Sequence, residues 1–171
     1  SSPSRGLGDV YKRQLQLLEA IKHLKEYNLT IIGSGKLESD ISHYIEENNL
    51  HQRVKLAGFL SDNTVTKILL TADIFCAPST YEPFGLVYIE ALAHGLPVIG
   101  YGPSINEIED HMGIRCGYKL ETYDANSIKT ALLETSKVKW NRRELHDTAK
   151  VKYSPLHSSL RFAESIISGV D

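Results

Sequence analysis

Apolar residues recur every three to four positions along much of the chain, which predicts a series of amphipathic helices. The clearest case is the stretch LQLLEAIKHLKEY, where Leu17, Leu18, Ile21 and Leu24 fall on one helical face. Helices are predicted on this basis over residues 15–27, 37–49, 62–71, 85–94, 105–110, 124–136, 142–152 and 155–167.

Short, continuous apolar runs lie between these helices. They predict strands over residues 29–32, 54–57, 74–77, 97–101 and 114–118. Strands that alternate with helices through short loops indicate βα units and a parallel sheet. Because the strands are apolar throughout, the sheet is expected to be covered on both faces. The predicted fold is therefore α/β, a Rossmann-like doubly wound parallel sheet followed by C-terminal helices.

The first fourteen residues do not continue this pattern. Residues 1–8 have the composition of a turn, and DVYKRQ over residues 9–14 resembles a translated transposase adapter used in preparing sequencing libraries. Residues 1–14 are interpreted as a non-native leader, with an ordinary frayed N-terminus as the alternative. A βα domain that opens with a helix is expected to have lost its first strand. The remainder divides into a sheet domain, residues 15–137, and a helical extension, residues 138–171.

Composition excludes several classes of protein. The 171 residues carry 19 Lys and Arg against 21 Asp and Glu, a net charge of −2, which argues against a strongly basic nucleic-acid-binding surface. Cys76 and Cys116 lie far apart without nearby histidines, so reduced thiols are expected rather than a disulfide framework or a zinc site. No apolar run approaches the ~18 residues of a membrane span. We expect a cytoplasmic protein without a bound metal.

A glycine turn, Gly33-Ser34-Gly35-Lys36, follows the first predicted strand. In open α/β sheets, ligands bind outside the carboxyl ends of the strands. Glycines there let backbone N–H groups approach an anion, and the following helix adds partial positive charge. The full G-x-G-x-x-G pattern is absent because position 38 is Glu38. A phosphate loop and a plain βα turn both remain open.

Two glutamates flank the start of the predicted helix over residues 85–94. Glu82 precedes Pro83, which favours an extended conformation in the loop over the helical one that a capping box needs. Glu90 lies about six residues into the helix, or roughly 9 Å along its axis. Two carboxylates so placed can accept hydrogen bonds from hydroxyls at separate points of one elongated ligand. For Glu90 alone, an exposed helix acid is the alternative.

These residues resemble a known family. Within EPFGLVYIEALAHGLPVI, Glu82 and Glu90 form the E-x7-E pattern of retaining glycosyltransferases with the GT-B fold, the group 1 or family 4-like enzymes. LTIIGSGKLESDI and RVKLAGFLSDNTVTKILLTADIFCAPS are similar to the segments that precede this pattern in the family. The resemblance runs from about Leu15 to Lys137 and corresponds to the C-terminal half of a GT-B fold, the nucleotide-sugar donor domain.

The resemblance implies a role for each matching residue. Glu82 is expected to be the catalytic residue, at the donor sugar hydroxyls, and Glu90 to bind the ribose hydroxyls. The remaining donor-binding residues implied are the backbone of Phe84, Gly85 and Leu86 at the sugar, Gly33 and Gly35 at the diphosphate, and Gly58 with Phe59 near the base.

The chain departs from the family pattern in two places. The Arg and Lys that neutralise the diphosphate fall around Arg5 and Lys12, inside the stretch interpreted as a leader. The segment after the strand at residues 97–101 lacks the usual glycine pair, which leaves the role of Glu107 open.

The resemblance implies a hexosyltransferase whose substrate is a UDP- or GDP-linked sugar and which uses no cofactor. The saccharide or lipid acceptor would be held by an N-terminal domain, so the chain alone is expected to be inactive. A GT-B-fold sugar-nucleotide epimerase and a non-catalytic nucleotide-binding fragment are the alternatives. The basic cluster KVKWNRR over residues 137–143 is compatible with peripheral contact at the inner face of the membrane, or with a solvated connection.

Overall fold

The computed structural model describes residues 3–79, 84–153 and 164–168, with backbone alone for residues 3–11 and 164–166. Its strands are β1 (Asn28–Ile32), β2 (Val54–Gly58), β3 (Ile74–Ala77), β4 (Val98–Tyr101), β5 (Gly117–Leu120) and β6 (Glu164–Ser168). Its helices are α1 (Pro3–Lys22), α2 (Glu38–Glu47), α3 (Asp62–Thr71), α4 (Leu86–Ala93), α5 (Gly102–Met112), α6 (Ala125–Lys137) and α7 (Arg142–Lys152).

The strands form a single sheet in the order β2-β1-β6-β3-β4-β5. β1 pairs parallel with β2, and β3, β4 and β5 are parallel neighbours, whereas β6 runs antiparallel between β1 and β3. Strands β1 to β5 therefore all end at the same edge of the sheet, called here the carboxyl edge. The chain moves outward in one direction after β1 and in the other after β3, so the switch in strand order lies at β6.

Helices cover both faces of the sheet. Strand side chains alternate between the two resulting cores, as Phe75 and Cys76 on β3 show. Helices α1, α2 and α6 pack on the face of Cys76, and α3, α4, α5 and α7 pack on the face of Phe75. The predicted Rossmann-like α/β fold is confirmed.

Local signals set several element ends. The Ser61 hydroxyl accepts a hydrogen bond from the Thr64 N–H at the start of α3, and the Asp124 carboxylate accepts one from the Ser127 N–H at the start of α6. Gly95 adopts a φ of 78° just after α4, in the left-handed region expected for it. The bounds predicted for α3, β3 and α7 are confirmed.

Other predicted bounds were wrong, and a proline in one case and close packing in another explain two of them. α5 begins at Gly102 rather than near residue 105, because Pro103 occupies its first turn, where proline is favoured. β5 spans Gly117–Leu120 rather than residues 114–118. A Cβ at Gly117 would lie 1.9 Å from the Val98 carbonyl oxygen, so only glycine lets β5 approach β4 there.

The two chain ends differ most from prediction. α1 begins at Pro3 and ends at Lys22, whereas the sequence pattern predicted residues 15–27. The helix predicted over residues 155–167 is wrong where the structure describes it, because Glu164–Ser168 is strand β6. Residues 155–163 of that prediction lie outside the described residues. β6 pairs with β1 over five positions and with β3 over three, so backbone pairing on both sides overrides the helical apolar spacing.

Candidate functional site

Two of the predicted glycines meet at the carboxyl edge. Gly33 follows β1 with a φ of 103°, and Gly58 ends β2 with a φ of 66°, both in the left-handed region. The Gly33 N–H donates to the Gly58 carbonyl oxygen at 2.7 Å. This bond ties the ends of β1 and β2 together and occupies the Gly33 N–H. An anion at this turn would therefore be bound by backbone N–H groups after Gly33.

The residues next to this bridge are open to solvent. A Cβ at Gly35 would meet no heavy atom within 4 Å, so the space beside Gly35 is empty. Phe59, which follows Gly58, is 71% exposed. The turn and one exposed aromatic ring therefore border the same accessible end of β1 and β2.

The segment between β3 and α4 forms the second half of the site. Glu82 lies outside the described residues, so its position stays a prediction. Phe84 is 76% exposed and Leu86 is 41% exposed at the start of α4. Gly85 is the N-cap residue of α4 with a φ of 59°, and a Cβ there would lie 3.0 Å from the Ile108 side chain. Glycine therefore suits this position for two reasons: it adopts a positive φ without strain, and it has no side chain to crowd α5.

Glu90 lies on α4 and is only 8% exposed, between the core residues Ile89 and Ala91. It is therefore not the exposed helix acid that the sequence left open. The His94 Nδ1 donates to the Glu90 carbonyl oxygen at 2.8 Å, so His94 closes the last turn of α4. A buried glutamate on an otherwise apolar helix is unusual unless it is hydrogen-bonded or paired.

The two halves of the site share one edge but are not adjacent. β1 and β3 are separated by β6, which places their ends about 10 Å apart at ~4.8 Å per strand. Glu164 pairs with Ile32, so the first residue of β6 lies at the carboxyl edge between the two halves. Sequence reasoning missed Glu164 because the residue fell inside a predicted helix.

Sequence reasoning also missed a tyrosine at this edge. The Tyr88 hydroxyl donates to the Ala77 carbonyl oxygen at 2.9 Å and accepts from the Tyr101 N–H at 2.9 Å. Ala77 ends β3 and Tyr101 ends β4. Tyr88 stood in an apolar stretch of the predicted helix, where nothing in the sequence distinguishes it from an ordinary core residue.

Glu107, whose role the sequence left open, lines a cavity of about 350 Å³ with Phe84, Ser104, His111 and Tyr153. Burial raises the pKa of Tyr153 above its ordinary value.

The positions where the family has its diphosphate-neutralising Arg and Lys fall on α1. Arg5 and Lys12 both lie on this helix, and the Lys12 side chain is exposed.

The basic cluster after α6 is partly packed into the protein. The Arg142 guanidinium donates to the carbonyl oxygens of Ala72 and Gly95, and the Trp140 indole donates to that of Thr135. Arg115 lies over the Trp140 ring at 5.4 Å. Arg142 and Trp140 therefore join α6 and α7 to the body of the domain, which differs from the solvated connection considered above.

Comparison with known proteins identifies the family. The family described as Glycosyl transferases group 1 matches residues 7–151. The chain belongs to this family. Within the described residues, no group of three or more His, Cys, Asp or Glu side chains is placed to hold a metal ion. None of the helices described is both long and apolar enough to cross a membrane.

Two bacterial glycosyltransferases illustrate the similarity. The UDP-Gal:alpha-D-GlcNAc-diphosphoundecaprenol alpha-1,3-galactosyltransferase of Escherichia coli is 30% identical over 139 residues, covering 73% of this chain and 33% of that protein. The amylovoran biosynthesis glycosyltransferase AmsK of Erwinia amylovora is 33% identical over 130 residues, covering 70% of this chain and 31% of that protein.

A solved structure shares the fold. The pneumococcal O-GlcNAc transferase GtfA, in complex with UDP and GlcNAc, superposes with a TM-score of 0.62 at 25% identity and covers 84% of this chain and 29% of that protein. The chain spans between a fifth and two fifths of the curated relatives it matches, from 20% to 37%.

Proposed function

We propose that this chain is the donor-binding half of a retaining glycosyltransferase and that its ligand is a nucleotide-diphosphate sugar. The observation that carries the proposal is the convergence at one sheet edge of the Gly33–Gly58 turn and of the start of α4, the helix that holds the buried Glu90. Membership of the group 1 glycosyltransferases supports it.

The separation of the two halves suits an elongated ligand. With about 10 Å between the ends of β1 and β3, one ligand can contact both. Gly35 and the amides that follow it would hold the diphosphate, and Gly58 with the exposed ring of Phe59 would border the base. The N-terminal end of α4 carries about half a positive charge, which favours the bound phosphates without a metal ion.

The α4 half would hold the sugars. The Glu90 carboxylate would accept hydrogen bonds from the ribose hydroxyls, and a buried carboxylate makes such bonds strongly. The backbone of Phe84, Gly85 and Leu86, with Glu82, would bind the donor sugar hydroxyls. Glu82 would be the catalytic residue of this set, the role that the resemblance to the E-x7-E pattern implies for it.

The proposed reaction moves a hexosyl group with retention at the anomeric carbon. The bond from that carbon to the diphosphate oxygen breaks, and a bond to an acceptor hydroxyl oxygen forms on the same face. The hydroxyl proton leaves with the nucleoside diphosphate. Stabilising the departing phosphate would be the main contribution of this half, because charge develops there in the transition state.

The names of relatives support this substrate class. The Escherichia coli relative is named for a UDP-Gal donor and a lipid-linked acceptor, and GtfA was solved with UDP and GlcNAc. We accordingly propose a UDP- or GDP-linked hexose as donor and a saccharide or lipid as acceptor. A further, N-terminal domain would hold the acceptor across the cleft.

Calorimetric titration with UDP-, GDP- and ADP-sugars tests donor binding. Glu90→Gln is expected to weaken binding of the preferred nucleotide sugar by about 1.5–3 kcal/mol, the range for hydrogen bonds to a charged group. Glu46→Gln, at an exposed position on α2, is the matched control and should bind as the parent does. Glu82→Gln should reduce discrimination between the nucleotide sugar and the bare nucleoside diphosphate. Equal, negligible effects of Glu82→Gln and Glu90→Gln would contradict these assignments.

Turnover tests the need for a second domain. The isolated chain is expected to bind nucleoside diphosphate weakly and to transfer no sugar, because holding the acceptor in place can supply about 7–11 kcal/mol of barrier lowering. The measurement is incubation with radiolabelled nucleotide sugars and a panel of saccharide and lipid acceptors. Acceptor-dependent turnover by the isolated chain would refute the two-domain proposal. Epimerised nucleotide sugar from a chain extended by an N-terminal half would favour the epimerase alternative.

A further inference from the structure

The Tyr88 hydroxyl links helix α4 to the ends of two neighbouring strands, β3 and β4. Tyr88 is fully buried at the third position of α4. Its hydroxyl uses both of its hydrogen-bonding functions, donating to the Ala77 carbonyl oxygen and accepting from the Tyr101 N–H, each at 2.9 Å. A phenylalanine would fill the same space without making these two hydrogen bonds.

The absence of a side chain at Gly100 makes room for the Tyr88 ring. A Cβ at Gly100 would lie 2.2 Å from the Tyr88 hydroxyl oxygen and 2.5 Å from the Ala77 carbonyl oxygen. Glycine at position 100 is therefore what lets the tyrosine reach between β3 and β4. Phe75 contacts the ring edge-on, with centroids 6.3 Å apart, from the same core.

The two groups that Tyr88 binds are the last residues of β3 and β4. Ala77 precedes the segment that leads to Gly85, and Tyr101 is the N-cap residue of α5. Glu90 lies two residues after Tyr88 on the same helix. The hydroxyl thus connects α4, the helix that carries Glu90, to both strand ends.

We propose that Tyr88 is a positioning residue for the donor site, setting the place of Glu90 and of the α4 N-terminus against the ends of β3 and β4. This inference rests on the proposed donor binding. Without the hydroxyl, α4 loses both hydrogen bonds to the ends of β3 and β4, and its apolar packing against those strands is less directional than the two bonds. Donor affinity then falls because Glu90 and the amides at the start of α4 no longer meet the ligand in one fixed arrangement.

Tyr88→Phe tests the proposal, with Tyr27→Phe as the matched control. Tyr27 is also a buried tyrosine, 6% exposed, and its hydroxyl bonds to the Ser136 Oγ at 2.8 Å. It precedes β1 and so lies at the opposite edge of the sheet. Both variants keep the ring and lose one hydroxyl, and both are expected to lower the melting temperature by a few degrees.

Nucleotide affinity distinguishes a positioning role of Tyr88 from a purely structural one. Calorimetric titration with UDP and GDP at 15 °C, well below melting, should show affinity reduced about five- to tenfold in Tyr88→Phe and unchanged in Tyr27→Phe. Amide exchange at Tyr101 should become faster in Tyr88→Phe alone. An unchanged affinity in Tyr88→Phe, with faster exchange at Tyr101, would overturn the proposal, because the hydrogen bond would then be purely structural.

A double-mutant cycle with Glu90→Gln provides the decisive comparison. If Tyr88 acts through Glu90, the losses of affinity in the two single variants will not add in the double variant. The cycle of Tyr27→Phe with Glu90→Gln should be additive. Additive losses in both cycles would overturn the role of Tyr88 while leaving donor binding intact. Absence of nucleotide binding by the parent chain would refute the proposed function, and this inference with it.

Discussion

The Thr135 hydroxyl is buried on α6 without a hydrogen-bond partner among the described residues. The backbone carbonyl oxygen of Thr135, by contrast, accepts a hydrogen bond from the Trp140 indole. Thr135→Val keeps the side-chain shape and removes the unpaired oxygen. It is expected to raise the free energy of unfolding by about 1 kcal/mol, since a buried polar group without a partner is costly. Urea denaturation measures this change.

The matched control for Thr135→Val is Ser136→Ala, which removes a hydroxyl that does have partners, Tyr27 and the Leu132 carbonyl. That variant should be less stable than the parent. Thr135 also lines a cavity of about 160 Å³. Loss of stability in Thr135→Val would mean that a water in this cavity binds the hydroxyl.

At the scale of an element, Asp124 caps α6. Hydrogen bonds from the Ser127 N–H, then from the Ser127 hydroxyl, lower the pKa of Asp124 to about 2. A carboxyl whose pKa is lower in the folded than in the unfolded protein stabilises the fold above its unfolded value of about 3.9. That stabilisation is lost as the pH falls through about 2.

Asp124→Ala is therefore expected to lower the melting temperature by about 2–4 °C at pH 7. The difference from the parent should shrink below pH 4 and disappear near pH 2. Melting curves followed by circular dichroism across this range measure it. Asp147→Ala, at an exposed position on α7, is the control and should have little effect at any pH. A difference that is as large at pH 2 as at pH 7 would contradict capping by the charged carboxylate.

The first part of α1 tests the interpretation of residues 1–14. Among the side chains that the structure describes, the buried core residues of α1 start at Leu17, with the partly buried Leu15 packed beside them, and Gln16 accepts a hydrogen bond from the Ala125 N–H at 2.8 Å. The Lys12 side chain is exposed. Removing residues 1–14 is therefore expected to leave the melting temperature nearly unchanged. A fall of several degrees on removal would show that this segment packs as a genuine element.

At the scale of the whole molecule, the position of β6 in the sheet can be tested with a disulfide cross-link. Ser165 is the antiparallel partner of Cys76, and Cα atoms of directly opposed residues lie about 4.5–5.5 Å apart, within the range of a disulfide. Ser165→Cys should therefore cross-link to Cys76 under mild oxidation. Burial raises the pKa of Cys116 to about 12, which keeps that thiol from competing.

Thiol titration in denaturant reads out the result. The oxidised Ser165→Cys protein should retain one free thiol, that of Cys116. The control is Ser168→Cys, whose partner is Asn28, and it should retain three. Three free thiols in both variants would mean that β6 does not occupy the place between β1 and β3.

The core of the fold could be predicted because its signals are local and repeated. The helical spacing of Leu17, Leu18 and Ile21 specifies a helix, and the apolar run of β3 specifies a strand and its extent, without knowledge of the neighbours. The glycine turn and the start of α4 could be placed at one edge for the same reason, because parallel strands end together. Glu82 could be argued only from the sequence, and its role remains a prediction.

The sequence by itself thus determined the α/β class, the type of most elements and the membership of the glycosyltransferases. Tertiary structure decided what depends on distant partners. The end of the chain forms β6 because it pairs with strands on both sides, although its own spacing favours a helix. Glu90 is buried and Tyr88 reaches two strand ends because α4 packs against β3 and β4. Such contacts join residues far apart in the chain, and no local pattern encodes them.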